Sequence, residues 1–365
     1  MRHSFVILYG TNAMSFKVTL LPSGREFSVE SGETVLDAAI RKGIGLPYGC
    51  RSGRCGSCIA VLAQGEVDSP DGPPEALAHE PEDRCLPCMA YPQSDLVLEV
   101  REVETPDRGE VHMLPARVQG IDHLTHDVVR LWLKLPDTQR LQFRAGQYID
   151  FVLADGSHRA FSIANAPGDD ALIELHIRHI DGGRFTDWVF SKLEDQTILR
   201  IEGPHGSFVL DEASPRPMLF IGGGTGLAPI KSQIEHALHK GIERPMTLYW
   251  GVRSQRDLYL PELPEQWARE HANFQYVPIL SEPDADWTGR TGFVHEAVLA
   301  DIDDPVACDF YMAGPPVMVK AALDALHSAG VPDAQIHYDS FEYATTKDKQ
   351  AARQEPGMYG FRQPD

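Results

Sequence analysis

Cys50, Cys55 and Cys58 are spaced C-x4-C-x2-C, and most residues in the gaps of Cys50-Arg51-Ser52-Gly53-Arg54-Cys55-Gly56-Ser57-Cys58 are glycine or serine. Thiolates at this spacing can wrap one side of a small inorganic cluster, and the run suits a [2Fe–2S] centre. Small residues let backbone N–H groups turn inward toward cluster sulfur, and glycine supplies the dihedrals this demands. Cys88 follows at the end of the same segment. A zinc site from Cys55-x2-Cys58 and Cys85-x2-Cys88 is a second arrangement, although it leaves Cys50 and the Gly/Ser loop without a purpose. Disulfides are disfavoured in a chain long enough to bury its own core and showing no secretory signal.

Arg159-Ala160-Phe161-Ser162 matches the R-x-[Tyr/Phe]-Ser signature of the ferredoxin reductase superfamily. A guanidinium pairs with phosphate in bidentate fashion, an aromatic ring packs against an isoalloxazine, and a short hydroxyl reaches flavin N5. Alone, the four residues describe an arginine-flanked strand equally well. Three companions stand in the order that family shows: Phe143–Tyr148, Gly182-Gly183-Arg184-Phe185-Thr186, and Gly203-Pro204-His205-Gly206-Ser207-Phe208. The second of these opens a helix, whose free N–H groups and dipole suit a pyrophosphate. His176 and His179, near Arg178, are further candidates for flavin contact, with ordinary strand positions as the alternative.

Gly222-Gly223-Gly224-Thr225-Gly226-Leu227-Ala228-Pro229 follows a strand and opens a helix, the context a dinucleotide pyrophosphate needs. Leu227 stands where the G-x-G-x-x-G fingerprint has its third glycine, and the next strand ends in Gly251-Val252-Arg253 rather than in an acid. Both departures occur in ferredoxin-reductase-like nicotinamide domains. Tyr311-Met312-Ala313-Gly314-Pro315-Pro316 resembles that family's Y-x-C-G-P-P turn, with Ala313 where many relatives place cysteine; Cys308 reads as buried and structural. Phe341 sits where relatives carry an aromatic that covers the flavin face, with core packing as its other reading.

The elements that must position these residues change character along the chain. Ser15–Leu20 and Arg25–Val29 alternate like strands. Ser31–Thr34 opens a short helix with Val35, Leu36, Ala39 and Ile40 on one side, and strand-like Ile59–Leu62 and Leu96–Val100 follow. From Leu114 to about Asp211, short strands separated by turns suggest a small barrel, interrupted by a helix over Arg184–Leu193. From Arg216, strands alternate with helices, which implies a doubly wound parallel sheet. Six segments result: an N-terminal extension (1–13), a cluster domain (14–102), a linker (103–113), a flavin barrel (114–213), a nicotinamide domain (214–345) and a polar tail (346–365).

A hydrophobic fraction of 42% and a charged fraction of 24% are those of an ordinary globular protein. A formal charge of −20 argues against nucleic acid, whose phosphates demand a basic footprint. The apolar run Phe5–Tyr9 is too short to span a membrane, and the expected location is cytoplasmic.

Residues 15–102 resemble a plant-type β-grasp ferredoxin domain, and residues 15–345 resemble the reductase components of bacterial multicomponent systems. That resemblance implies an antiparallel β-barrel flavin domain, an α/β nicotinamide domain, and a relay from NADH through FAD and the cluster to a terminal oxygenase or deoxysugar dehydratase. It also implies Cys50, Cys55, Cys58 and Cys88 as metal ligands. Arg159, Ala160, Phe161, Ser162, His176, Gly183, Arg184, Phe185 and Thr186 would contact FAD. Gly222, Gly223, Gly224, Thr225, Gly226, Gly314 and Pro315 would hold nicotinamide dinucleotide, with Ser162 and Phe341 at the reacting rings. NADH is expected over NADPH because Asp257 would repel a further phosphate, and a monomer is expected. Arg51 and Arg54 would give the cysteine loop a local positive patch for an acidic partner. A free-standing flavin or dye reductase, and a zinc-stabilised binding module without turnover, are the other functional readings.

Overall fold

A computed structural model of the chain describes residues 15–70, 72–103, 111–169 and 171–341. The expected N-terminal extension, the tail, and residues 104–110 of the linker lie outside the described residues, as do Glu342 and Tyr343 beside Phe341. By contact, the described residues form two units: 15–46 with 51–103, and 47–50 with 111–341.

In the first unit, Ser15–Leu21 (β1) and Glu26–Glu30 (β2) form an antiparallel hairpin with Phe16 opposite Val29. Val18 and Leu20, two residues apart on β1, are both fully buried, as a strand with one covered face requires. Helix Val35–Arg41 (α1) is started by Thr34, whose Oγ1 accepts from Asp37 N at 3.1 Å. Such a cap contributes about 1 kcal/mol. The helix buries Val35, Leu36, Ala38 and Ala39. Ile40, expected on that face, is instead 38% exposed, because a turn of about 3.6 residues carries it past the stripe that Val35 and Ala39 define. Ala60–Gln64 (β3), Val67–Asp68 (β4), Arg84–Cys85 (β5), Tyr91–Pro92 (β6) and Leu96–Glu99 (β7) complete the strands. The main sheet has the order β2-β1-β7-β3-β5 with β7 parallel to β1, a β-grasp.

The second unit opens with six antiparallel strands: His112–His123 (β8), Val128–Lys134 (β9), Tyr148–Val152 (β10), His158–Ser162 (β11), Ile173–Arg178 (β12) and Ile198–His205 (β13). Their order is β11-β10-β13-β8-β9-β12, and an antiparallel bridge between Ile163 and Leu175 closes the barrel. β8 begins earlier than the residue pattern implies: His112 and Met113, expected to be linker, pair with Gly203 and Glu202. Alternate inward residues, Val129, Leu131 and Leu133 among them, fill the interior. Burying each contributes about 1.5–3 kcal/mol. Helix Arg184–Ser191 (α2) lays Phe185 and Val189 into that core.

A parallel sheet follows, built from Met218–Gly223 (β14), Met246–Val252 (β15), Phe274–Leu280 (β16), Arg290–Thr291 (β17), Asp309–Gly314 (β18) and Ile336–Ser340 (β19). Helices Leu227–His239 (α3), Glu262–Glu270 (α4), Val294–Asp301 (α5) and Pro316–Ser328 (α6) connect them. Two apolar clusters divide the strand residues by alternation: Phe220 packs with Leu227, Ile230 and Ile234 of α3, while Leu219 and Ile221 pack with α5 and α6. The strand order β17-β16-β15-β14-β18-β19 reverses between β14 and β18. Ligands of doubly wound sheets bind outside the carboxyl ends of strands at such a reversal.

Candidate cofactor-binding sites

The cysteine loop of the first unit is fixed from both sides. Val35 N and Leu36 N, at the start of α1, donate to Ala90 O at 3.0 Å and Pro87 O at 2.9 Å, so they bracket Cys88. Arg51 Nη2 reaches Asp37 Oδ1 at 2.6 Å, which ties the loop to the same helix and offsets the positive patch expected there. Gly53 has φ +74, and a Cβ on it would sit 3.0 Å from Met89 Cγ. Cys58 Sγ lies 3.3 Å from Cys88 Sγ. As a free thiol Cys58 is pushed well above its ordinary value, first by that hydrogen bond and then by burial. A metal that takes the place of the proton is what lets two sulfurs share this space as thiolates. Ser57 Oγ is buried with no hydrogen-bond partner among the described residues, a donor left for cluster sulfur. These residues fit a [2Fe–2S] cluster. Cys85 is different: it pairs with Ala60 between strands, and burial, then the charge of Cys88, push its thiol to about 12. Cys50 groups by contact with the second unit, where Tyr48 N donates to Ser207 Oγ at 2.9 Å and Tyr148 Oη donates to Gly49 O at 2.5 Å.

Arg159, Ala160, Phe161 and Ser162 lie on β11, at one end of the barrel's strand order, with Ser162 opposite Tyr148 and Arg159 opposite Phe151. Arg159 donates only to His158 O among the described residues, so its guanidinium is left for an anion. Gly183 is the N-cap of α2 and has no side chain with which to cap that helix start. A Cβ on Gly183 would lie 2.8 Å from Ile180 O and from Thr186 Oγ1. Thr186 Oγ1 donates within this turn and accepts from Ile180 N at 3.1 Å, so it shapes the turn. The Phe185 ring is buried against Phe151 and Phe161. A guanidinium held by one backbone carbonyl and a helix start whose N-cap is glycine fit a flavin dinucleotide.

Gly222 and Gly223 end β14, and Gly224–Gly226 make one tight turn into α3. Gly222 pairs with Ala313, and a Cβ on Gly226 would collide with Ala313 O. The turn is therefore folded onto the end of β18, where Gly314 is the last strand residue and Pro315 caps α6. Phe341 N donates to Gly314 O at 2.9 Å. Three motifs far apart in sequence thus meet at the strand-order reversal. Trp250, missed by motif reading, donates its indole N–H to Gly224 O at 3.0 Å and holds the turn from the opposite side.

His176, a candidate flavin contact with an ordinary strand position as its alternative, lies within β12. Its ring is buried, with Nε2 3.0 Å from Glu174 Oε1 and Nδ1 3.0 Å from Tyr259 Oη. Burial pushes His176 below its ordinary value, against the pull of Glu174. Glu174 Oε2 in turn accepts from Lys231 Nζ at 2.8 Å. Burial raises Glu174, but the hydrogen bonds and charges of His176 and Lys231 outweigh it and hold the carboxyl at about 2. The signal available in the sequence was a glutamate inside an apolar strand and a lysine on the apolar stripe of a helix. The depressed carboxyl makes its stabilisation complete above pH 4.5, the unperturbed value, and progressively lost as pH falls toward about 2. Glu174→Gln should therefore flatten the fall of Tm with acid across that window. Parallel Tm curves for the two proteins would contradict this.

A β-grasp cysteine loop, a barrel with an anion-ready edge and a parallel sheet with a glycine turn together define a modular electron-transfer oxidoreductase. Residues 18–93 match the 2Fe-2S iron-sulfur cluster binding domain, 115–210 the oxidoreductase FAD-binding domain, and 220–324 the oxidoreductase NAD-binding domain. The chain is 38% identical to the CDP-6-deoxy-L-threo-D-glycero-4-hexulose-3-dehydrase reductase of Yersinia pestis, covering 90% of this chain and 99% of that one. It is 38% identical to the phenol hydroxylase P5 protein of Acinetobacter pittii, over 90% of this chain and 95% of that one. Among solved structures, the Amycolatopsis reductase GcoB aligns with a TM-score of 0.74 and 33% identity, covering 89% of this chain and 98% of its own. The chain belongs to this family of iron–sulfur flavoprotein reductases and is an NADH-dependent oxidoreductase with FAD and a [2Fe–2S] cluster. The match over residues 18–93 displaces the zinc reading of the cysteines.

Proposed function

We propose that the chain draws electron pairs from NADH and delivers single electrons to a terminal oxygenase or deoxysugar dehydratase. The observation that carries this reading is the match, over nearly their whole length, to a reductase named for a deoxysugar dehydrase and to a protein named for a phenol hydroxylase. When bound, the nicotinamide, flavin and cluster supply hydride transfer and one-electron steps; the chain's residues position them. Cys50, Cys55, Cys58 and Cys88 hold the cluster, in a domain of residues 14–102. Arg159 and the α2 start bind FAD phosphates in residues 114–213, with Ser162 at the isoalloxazine. Gly222–Gly226, Gly314 and Pro315 hold the dinucleotide in residues 214–345, with Phe341 over the flavin face, and the expected linker, 103–113, joins the cluster domain to the rest up to His112, where β8 begins. The molecule works as a cytoplasmic monomer without nucleic acid. Its net charge of −20 supports the last point, and no helix among the described residues is long and apolar enough to cross a membrane.

Cys55→Ser should keep NADH-dependent ferricyanide reduction, because residues 111–341 of the second unit owe no ligand to Cys55. It should lose most one-electron transfer to protein acceptors of either net charge. Full transfer by the variant to every such acceptor would establish the free-standing flavin reductase reading instead.

NADH should exceed NADPH in kcat/KM by at least about tenfold. Asp257 Oδ2 is fixed by Ser254 N and Ser254 Oγ, both at 2.9 Å, where a 2′-phosphate would have to enter. Arg253 Nε lies 3.7 Å from Glu282 Oε1, so the nearest arginine already faces an acid. A higher kcat/KM with NADPH would show that Arg253 and Arg256 bind that phosphate.

A further inference from the structure

Lys231 is 5% exposed on α3, and its ammonium has three acceptors: Glu174 Oε2 at 2.8 Å, Glu235 Oε2 at 2.9 Å and Ala164 O at 3.2 Å. An ammonium carries three protons, so the set is complete. The next residue, Ser232, is fully buried and donates from Oγ to Asn165 O at 2.7 Å. Asn165 Oδ1 accepts from Glu174 N at 2.9 Å, and Ala164 N donates to Glu174 O at 2.8 Å. The helix that begins at the glycine turn is thus fastened by two adjacent side chains to the residues two and three past Ser162.

This fastening differs in kind from the apolar contact around it. Phe208 and Leu210 also pack in the cluster that holds Leu227, Ile230 and Ile234 of α3, but apolar contact is non-directional and tolerates sliding. The bonds of Lys231 and Ser232 fix one register. Hydride transfer needs its two rings at about 3–3.5 Å, and about 1 Å of misplacement can cost about 10²-fold in rate.

Resting on the function proposed above, we propose that Lys231, seated by Glu174, is a positioning residue for hydride delivery: it fixes the glycine turn of α3 against the strand bearing Ser162. The test uses the holoprotein and two variants. Lys231→Met alone leaves Glu174 buried without its cation, so Lys231→Met/Glu174→Gln removes the cation together with the more deeply buried of its two carboxylates, and Ser232→Ala removes only the hydroxyl bond. Anaerobic stopped-flow gives the rate of flavin bleaching by NADH. Titration with NAD+ gives affinity, and hydrogen–deuterium exchange is followed at residues 162–166 and 224–228. The double variant should bleach at least about tenfold more slowly, with affinity and flavin content within about twofold of wild type. Ser232→Ala should shift both readouts the same way by less. Exchange should rise in both stretches together while residues 246–252 stay protected. An unchanged bleaching rate in the double variant and in Ser232→Ala overturns the proposal, whatever exchange shows. Were wild type itself not bleached by NADH, the functional reading would fail; unchanged exchange in the double variant would then refute the fastening, and coupled loss of protection would support it.

Discussion

Cys88→Ser is expected to leave the protein without the visible absorbance of its cluster, and Cys85→Ser to leave that absorbance intact. The two cysteines lie close in sequence, yet their surroundings are opposite. Cys88 is bracketed by backbone bonds from the first turn of α1 and places its sulfur 3.3 Å from that of Cys58. Cys85 is 2% exposed on a strand, where it pairs with Ala60, and burial, then the charge of Cys88, push its thiol to about 12. Its replacement by serine buries a hydroxyl and should cost about 1–3 kcal/mol of stability without loss of colour. Iron content and the visible spectrum of both variants decide the matter. A Cys85→Ser protein without iron and the cluster's absorbance, beside a Cys88→Ser protein that keeps both, would mean the ligand assignment is reversed.

Gly226→Ala should lower kcat/KM for NADH by about 10²-fold while flavin and cluster absorbance remain. Gly226 has an ordinary helical φ of −58, so alanine's dihedral preference is no obstacle. The obstacle is space, because the new methyl would meet Ala313 O, a backbone atom of β18 that cannot turn aside. The turn must open away from Gly314 and Phe341, which displaces whatever the two glycine segments hold between them. Ferricyanide reduction with NADH measures the effect. A rate equal to wild type would show that the turn relaxes freely and does not set the position of the nicotinamide.

Much of this arrangement is legible in the chain before any coordinates. Ser15–Leu21 alternates and is a strand; Gly222–Gly226 follows an apolar run and is a turn into a helix. These features follow from local rules: period two, period 3.6, and glycine where backbones crowd. What local rules do not carry is which positions distant chain segments cover. Ile40 looks as apolar as Leu36, yet only the latter is buried. Phe185 belongs to a helix start that suits phosphate, yet its ring fills the barrel. His176 stands near Arg178 as a plausible flavin contact, but Glu174 and Tyr259 occupy both ring nitrogens. Lys231 and Glu174 show the limit most plainly. Each is an anomaly in its own segment, and the reason appears only when α3 and β12 are seen side by side.

That pairing also constrains how such reductases can be recombined. A chimaera joining this barrel to a relative's nicotinamide domain would part Glu174 from Lys231 at the seam. Unless the donor domain brought its own cation to that point, Glu174 would be left buried without a counter-charge, at a cost of about 3–5 kcal/mol. The exchangeable piece is therefore smaller than a domain and not contiguous: residues 174 and 231 travel together, and a graft that respects only the chain boundary near residue 213 would inherit half of a lock.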